Sequence, residues 1–172
     1  MAAVDIGKLL GATVIATSGS DAKLQRVLAY GADQVINTEN GFREQVKALT
    51  GRRGADVIYD PVGGDIFDES MRCINFDGRL LIIGFTSGRI ASVPTNIPLI
   101  KGFSVMGVRA GEYGRQFPEK GAENLQTIWD WVRERKTRPY VHAELPLSQS
   151  VDGFRMLQQR EVIGKLVICP DR

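Results

Sequence analysis

The sequence is short of the features that mark several large protein classes. Its 172 residues contain no apolar run of about 18 residues, which excludes a membrane-spanning helix. Cysteine occurs twice, at Cys73 and Cys169, too sparsely for a disulfide framework or a zinc knuckle, and His142 is the single histidine. A formal net charge of +2, from 22 Lys and Arg against 20 Asp and Glu, gives neither the basic surface of a nucleic-acid binder nor an acidic tail. There is no Gly-x-Ser-x-Gly nucleophile elbow and no phosphate loop closing on Gly-Lys-Ser. No signal peptide opens the chain, which begins Met1-Ala2-Ala3-Val4. The expectation is a soluble cytoplasmic protein with no nucleic-acid or membrane partner and no metal site. Hydrophobic residues make up 43% and charged residues 24%, a globular balance that argues against disorder.

What is present is a weak internal repeat. Gly11-Ala12-Thr13-Val14-Ile15 returns as Gly31-Ala32-Asp33-Gln34-Val35-Ile36 and again as Gly54-Ala55-Asp56-Val57-Ile58. Glycine suits the left-handed position after a helix, and the β-branched pair behind it suits a buried strand. Helix, glycine stop and short apolar strand in succession are stacked βαβ units. The pattern predicts helices near 2–10, 21–30, 40–50, 64–74, 94–100, 118–136 and 148–159. Strands are predicted near 13–17, 34–36, 55–59, 79–84, 104–108, 140–145 and 165–169. Asp21 is expected to cap the second helix. Leu125, Ile128, Trp129 and Val132 are expected on a buried face, Trp131 at the rim, and Pro139 as the stop of that helix. The continuous run Leu80-Leu81-Ile82-Ile83 predicts strands covered on both faces, as in a parallel sheet.

Open parallel sheets bind ligands at the carboxyl ends of their strands. After the first strand comes Thr17-Ser18-Gly19-Ser20-Asp21-Ala22-Lys23. Hydroxyls, a glycine, a helix start and a lysine make a phosphate site, in place of the acidic residue that an NAD ribose site carries. The same residues also read as an ordinary turn and helix cap beside a solvated lysine. The third strand leads into Asp60-Pro61-Val62-Gly63-Gly64-Asp65, where paired glycines permit close approach to a flat ligand, or where Asp65 simply caps a helix. The fourth leads into Gly84-Phe85-Thr86-Ser87-Gly88, and the fifth into Val108 and Arg109. His142, Cys73 and Cys169 read as packing residues.

Taken in order, these motifs resemble the zinc-independent quinone oxidoreductases of the medium-chain dehydrogenase/reductase superfamily. The carrying residues are Ala2-Ala3-Val4-Asp5-Ile6-Gly7, Gly31-Ala32-Asp33-Gln34-Val35-Ile36-Asn37, Asp56 through Gly64, Gly78 through Phe85, and Gly164-Lys165-Leu166-Val167-Ile168. Gly88 through Pro94 looks most like the quinone oxidoreductase-like protein 2 subgroup. The resemblance implies an α/β fold, a Rossmann-like doubly wound parallel sheet. It implies NADPH as cofactor and hydride transfer to quinones or α,β-unsaturated carbonyls. Ser18, Gly19 and Lys23 would meet the 2′-phosphate. Pro61, Val62 and Gly63 with Gly84 and Phe85 would line the ribose and nicotinamide, and Asn37 and Val108 complete the implied cofactor contacts. A homodimer through the strand near 104–108 is also implied.

The sequence departs from the family pattern at its start. The first Rossmann strand, its glycine-rich turn and an N-terminal catalytic domain are missing, so the chain reads as part of a longer enzyme. Residues 1–138 are expected to form the NADPH-binding domain, and residues 139–172 a segment that returns to the catalytic domain. Two further readings stay open: a non-catalytic, enoyl-reductase-like dinucleotide module, and an α/β interaction domain without nucleotide.

Overall fold

The computed structural model describes residues 1–170, in which helices and strands alternate. In order they are α1 (Ala2–Leu9), β1 (Ile15–Ser18), α2 (Asp21–Tyr30), β2 (Gln34–Asn37), α3 (Arg43–Leu49), β3 (Ala55–Asp60), α4 (Gly64–Cys73) and β4 (Ile74–Ile82). There follow α5 (Asn96–Lys101), β5 (Ser104–Gly107), α6 (Ala110–Gln116), α7 (Pro118–Arg133), β6 (Val141–Pro146), a 3-10 turn (Leu147–Gln149), α8 (Ser150–Gln158) and β7 (Lys165–Cys169). The strands form three separate ladders, β1-β2, β3-β4-β5 and β6-β7, and the last two are parallel. Among the described residues no strand bonds to both β1 and β3, where the Rossmann order places its first strand. The mixed α/β architecture with parallel strands is the expected one.

The chain divides into two compact units, Met1–Val35 with Thr127–Arg172, and Ile36–Gln126. In the first, Lys8 of α1 donates to both carboxylate oxygens of Asp33, at 2.7 and 2.8 Å, and Asp33 Oδ2 accepts from the Val14 amide at 2.7 Å. One aspartate of the repeated Gly-Ala-Asp motif thus ties the first helix to the approach of β1. The Arg138 amide donates to Asp5, and the Tyr30 hydroxyl donates to the Arg138 carbonyl. The tail builds its own parallel β6-β7 pair, with Leu145 opposite Ile168.

In the second unit, Ile58, Leu80 and Val105 stand side by side across β3, β4 and β5. This row meets Phe67 and Met71 of α4, with Ile74 and Phe103, to make the main apolar cluster. The neighbouring row turns the other way, and there Tyr59 is 53% and Met106 45% exposed, more open than the apolar run at Leu80 predicts. β4 begins at Ile74 rather than 79, because the backbone turns extended immediately after Cys73 and the buried Ile74 already packs in the core. The extra residues bulge out at Asp77 (φ 61°), between the Ala55–Ile74 and Val57–Arg79 pairs.

Two predicted helices differ, and one helix is new. α3 starts at Arg43, three residues later than the pattern indicates. The long helix is preceded by an unforeseen α6, and Phe117 (φ −128°, ψ 76°) separates the two. α7 ends at Arg133, where Arg135 turns left-handed (φ 55°), so Pro139 is not its stop. The expected buried face of α7 is open: Leu125, Ile128, Trp129 and Val132 are all exposed, whereas Trp131 is half-buried, the reverse of the expected tryptophan roles. Periodicity reports that an apolar stripe exists, and no buried residue of α7 marks a partner for it.

Candidate functional site

In the first unit the candidate residues lie on the β1–α2 connection. Ser18 closes β1, and its Oγ accepts from the Ser20 amide at 3.2 Å, which folds the turn back on itself. Ser20, not Asp21, is the N-cap of α2, and no side chain caps the helix. The helix dipole favours an anion at such a start. Lys23 sits in the first turn, half-buried, and makes no hydrogen bond or ion pair among the described residues. Serine, glycine and an uncommitted ammonium group at a helix start are the donor set that a phosphate monoester takes.

In the second unit the structure brings the β3 and β4 exits together. The Ile83 amide donates to the Asp60 carbonyl at 2.9 Å, the Thr86 amide to the Pro61 carbonyl at 3.2 Å, and the Ser87 amide to the Val62 carbonyl at 3.0 Å. The two turns thus run on together past the end of their sheet. Glycine is needed at Gly63 for its left-handed backbone, and at Gly84 the space for a side chain is tight. A methyl group on Gly63 (φ 72°) would lie 3.3 Å from the Phe85 ring, and one on Gly84 3.2 Å from the Pro61 carbonyl oxygen. Phe85 is 49% exposed, a flat apolar face at the lip of the paired turns.

The turn is set by a residue that the sequence reading left without a role. Asp60 is 2% exposed, and its Oδ1 accepts from the amides of Val62 at 2.7 Å and Gly63 at 3.0 Å. Its Oδ2 is buried with no partner among the described residues. An aspartate immediately before Pro-x-Gly is a detectable signal, since Asx side chains bond their own backbone two residues on. Asp65, the alternative cap, does not cap α4: Gly63 holds that position, and the Asp65 carboxylate is fully exposed toward Arg89.

The remaining candidates lie on other elements. Asn37 Oδ1 accepts from the Glu39 amide at 2.9 Å and closes its own turn. The Val108 amide donates to the Ile82 carbonyl at 3.0 Å, and its side chain is 39% exposed. Arg109 pairs with Glu112 at 3.8 Å. His142 Nδ1 accepts from the Ile163 amide at 3.4 Å inside the tail, and Cys73 is buried in α4, both in structural settings. Among the described residues no three His, Cys, Asp or Glu side chains come together as a metal site. No described helix is long and apolar enough to cross a membrane.

Comparison with known proteins agrees with this architecture. Quinone oxidoreductase-like protein 2 of Bos taurus is 35% identical over 170 residues, which are 98% of this chain and 49% of that protein. The crystal structure of Escherichia coli quinone oxidoreductase complexed with NADPH superposes with a TM-score of 0.86 at 29% identity, over 98% of this chain and 52% of that one. A probable oxidoreductase from Mycobacterium abscessus superposes with a TM-score of 0.84 at 32% identity, over 98% of this chain and 50% of that one. The chain spans about half the length of the curated relatives it matches. The zinc-binding dehydrogenase family description matches residues 1–129, and the chain belongs to that family, within the medium-chain dehydrogenase/reductase superfamily.

Proposed function

We propose that this chain is the cofactor-binding part of an NADPH-dependent quinone oxidoreductase. Residues 1–138 act as the NADPH-binding domain and 139–172 as the segment that returns to a catalytic domain. The observation that carries the reading is Lys23, an ammonium with no partner among the described residues, in the first turn of α2 behind Ser18 and Gly19 and suited to a 2′-phosphate. The paired turns carry the residues that the resemblance assigns to the ribose and nicotinamide: Gly63 and Gly84 let the two turns lie against each other, and Asp60 fixes the Pro61–Gly63 backbone. When bound, the reduced nicotinamide supplies a hydride to an electrophilic carbon of a quinone or α,β-unsaturated carbonyl. The residues of this chain hold and orient it, which is where a protein contributes to direct hydride transfer. The relatives' names support the quinone class, and a dimer through the free edge of β5 accompanies the reading.

The test is thermal unfolding of the 172-residue chain with NADPH and, separately, with NADH. A ligand that binds only the folded state at a hundredfold excess over its Kd adds about 2.7 kcal/mol. The midpoint is expected to rise with NADPH and not with NADH, and Lys23→Ala to abolish the difference. A midpoint that neither cofactor moves overturns the reading.

A further inference from the structure

Arg89 lies beyond the Gly84–Ser87 turn, and its guanidinium reaches back to α4. Nη2 donates to Asp65 Oδ1 at 2.8 Å and to Asp68 Oδ2 at 2.5 Å, two carboxylates three residues apart on one helix face. These bonds hold the guanidinium above its ordinary pKa, Asp68 more than Asp65. Ser87 tightens the same segment, since its Oγ accepts from the Arg89 amide and donates to the Arg89 carbonyl, both at 3.3 Å. A methyl group on Gly64 would lie 2.8 Å from Ser87 Oγ and 3.5 Å from Arg89 Nε, so the strap rests directly on the start of α4. Among the described residues every side-chain hydrogen bond made by residues 85–93 belongs to Ser87 or Arg89.

We infer that Arg89 is a positioning residue for the nicotinamide end of the cofactor: clamped to Asp65 and Asp68, it holds the Phe85–Ser87 turn against Pro61–Gly63. The inference rests on the function proposed above. It differs from the simplest role for an arginine beside a cofactor, which is to attract the phosphates as a free charge. A free charge grows stronger when its carboxylate partners are neutralised. A clamp fails when either side is removed.

The experiment compares wild type, Arg89→Ala, Arg89→Lys, the pair Asp65→Asn with Asp68→Asn, and the triple variant of Arg89→Ala with both asparagine changes, all in the 172-residue chain. NADPH binding is read by fluorescence and binding of 2′,5′-ADP, which lacks the nicotinamide half, by calorimetry. The Kd for NADPH is expected to rise about three- to tenfold in Arg89→Ala, the scale of two exposed ion pairs. It should rise equally in the double asparagine variant and no further in the triple. Arg89→Lys is expected to recover part of the loss, and 2′,5′-ADP to bind all variants alike. Unchanged NADPH binding in Arg89→Ala, equal weakening of both ligands, or tighter NADPH binding in the double asparagine variant each overturns the clamp. A wild-type chain that binds neither ligand overturns the proposed function itself, a result separable from those three.

Discussion

The buried Asp60 carboxylate grips the Gly63 amide at 3.0 Å and the Val62 amide at 2.7 Å through one oxygen, and its other oxygen has no partner among the described residues. The two oxygens therefore have different value. Asp60→Ala strands the turn amides, and a buried donor left unsatisfied costs about 1–3 kcal/mol. Asp60→Asn keeps a carbonyl oxygen for both amides but buries one unpartnered NH2 group in place of the second oxygen, so its expected cost is about 1–3 kcal/mol, below that of the two amides stranded in Asp60→Ala. Urea unfolding of both variants decides the matter. Equal losses would show that the turn does not depend on that oxygen.

Much of this arrangement is legible in the residues. The Gly-Ala-Asp repeats mark the entries to β2 and β3, and the Asp60–Gly64 and Gly84–Phe85 turns are visible as strand exits. Features with no local signal are lost. β4 starts at Ile74 without any turn residue, because a helix can pass straight into extended backbone when the next side chain is already buried. Arg89 finds Asp65 and Asp68 from 24 and 21 residues away, and a surface charge in sequence says nothing about its partner. α6 carries Gly111 and Gly114, which weaken helix propensity, and Tyr113 and the Phe117 that follows the helix meet with tilted rings 5.1 Å apart only once the turn exists.

Gly51 and Gly54 bracket the approach to β3 and separate two kinds of glycine. Both have positive φ, 60° and 95°. A methyl group on Gly51 meets nothing within 4 Å, whereas one on Gly54 would lie 2.5 Å from the Cys73 carbonyl oxygen and 2.8 Å from the Ile74 carbonyl carbon. Gly51→Ala is expected to cost about 1–2 kcal/mol for the left-handed backbone. Gly54→Ala adds a clash with backbone that cannot swing aside, for about 2–5 kcal/mol in all. Denaturant midpoints should rank wild type above Gly51→Ala above Gly54→Ala. Equal costs would mean that α4 and β4 yield at Cys73.

Trp129 is 51% exposed although its helical spacing suits a core. Its fluorescence should be quenched readily by iodide in a Trp131→Phe background. Trp129→Ala should change stability by less than about 0.5 kcal/mol, as surface substitutions do. A loss of about 3 kcal/mol or more, the scale of a buried tryptophan, would place the α7 stripe in a core.

Cys73 and Cys169 make opposite predictions about reactivity. Cys169 is exposed and should be modified by a thiol reagent at pH 8 in the native protein, while the buried Cys73 should react only on unfolding. Burial first, and the nearby Glu69 second, push the Cys73 thiol from 9.0 up to about 11. The unfolded chain therefore gives up this proton before the folded one does. The stabilising contribution is fully present below pH 9 and declines as the pH rises toward 11, with a slope of up to about 1.4 kcal/mol per pH unit for one proton. Urea unfolding between pH 8.5 and 10.5 reads that slope directly, and Cys73→Ala should flatten it while lowering stability at pH 7. An alkaline decline of the same steepness in wild type and Cys73→Ala would assign it to other groups and show that the buried thiol is not linked to folding.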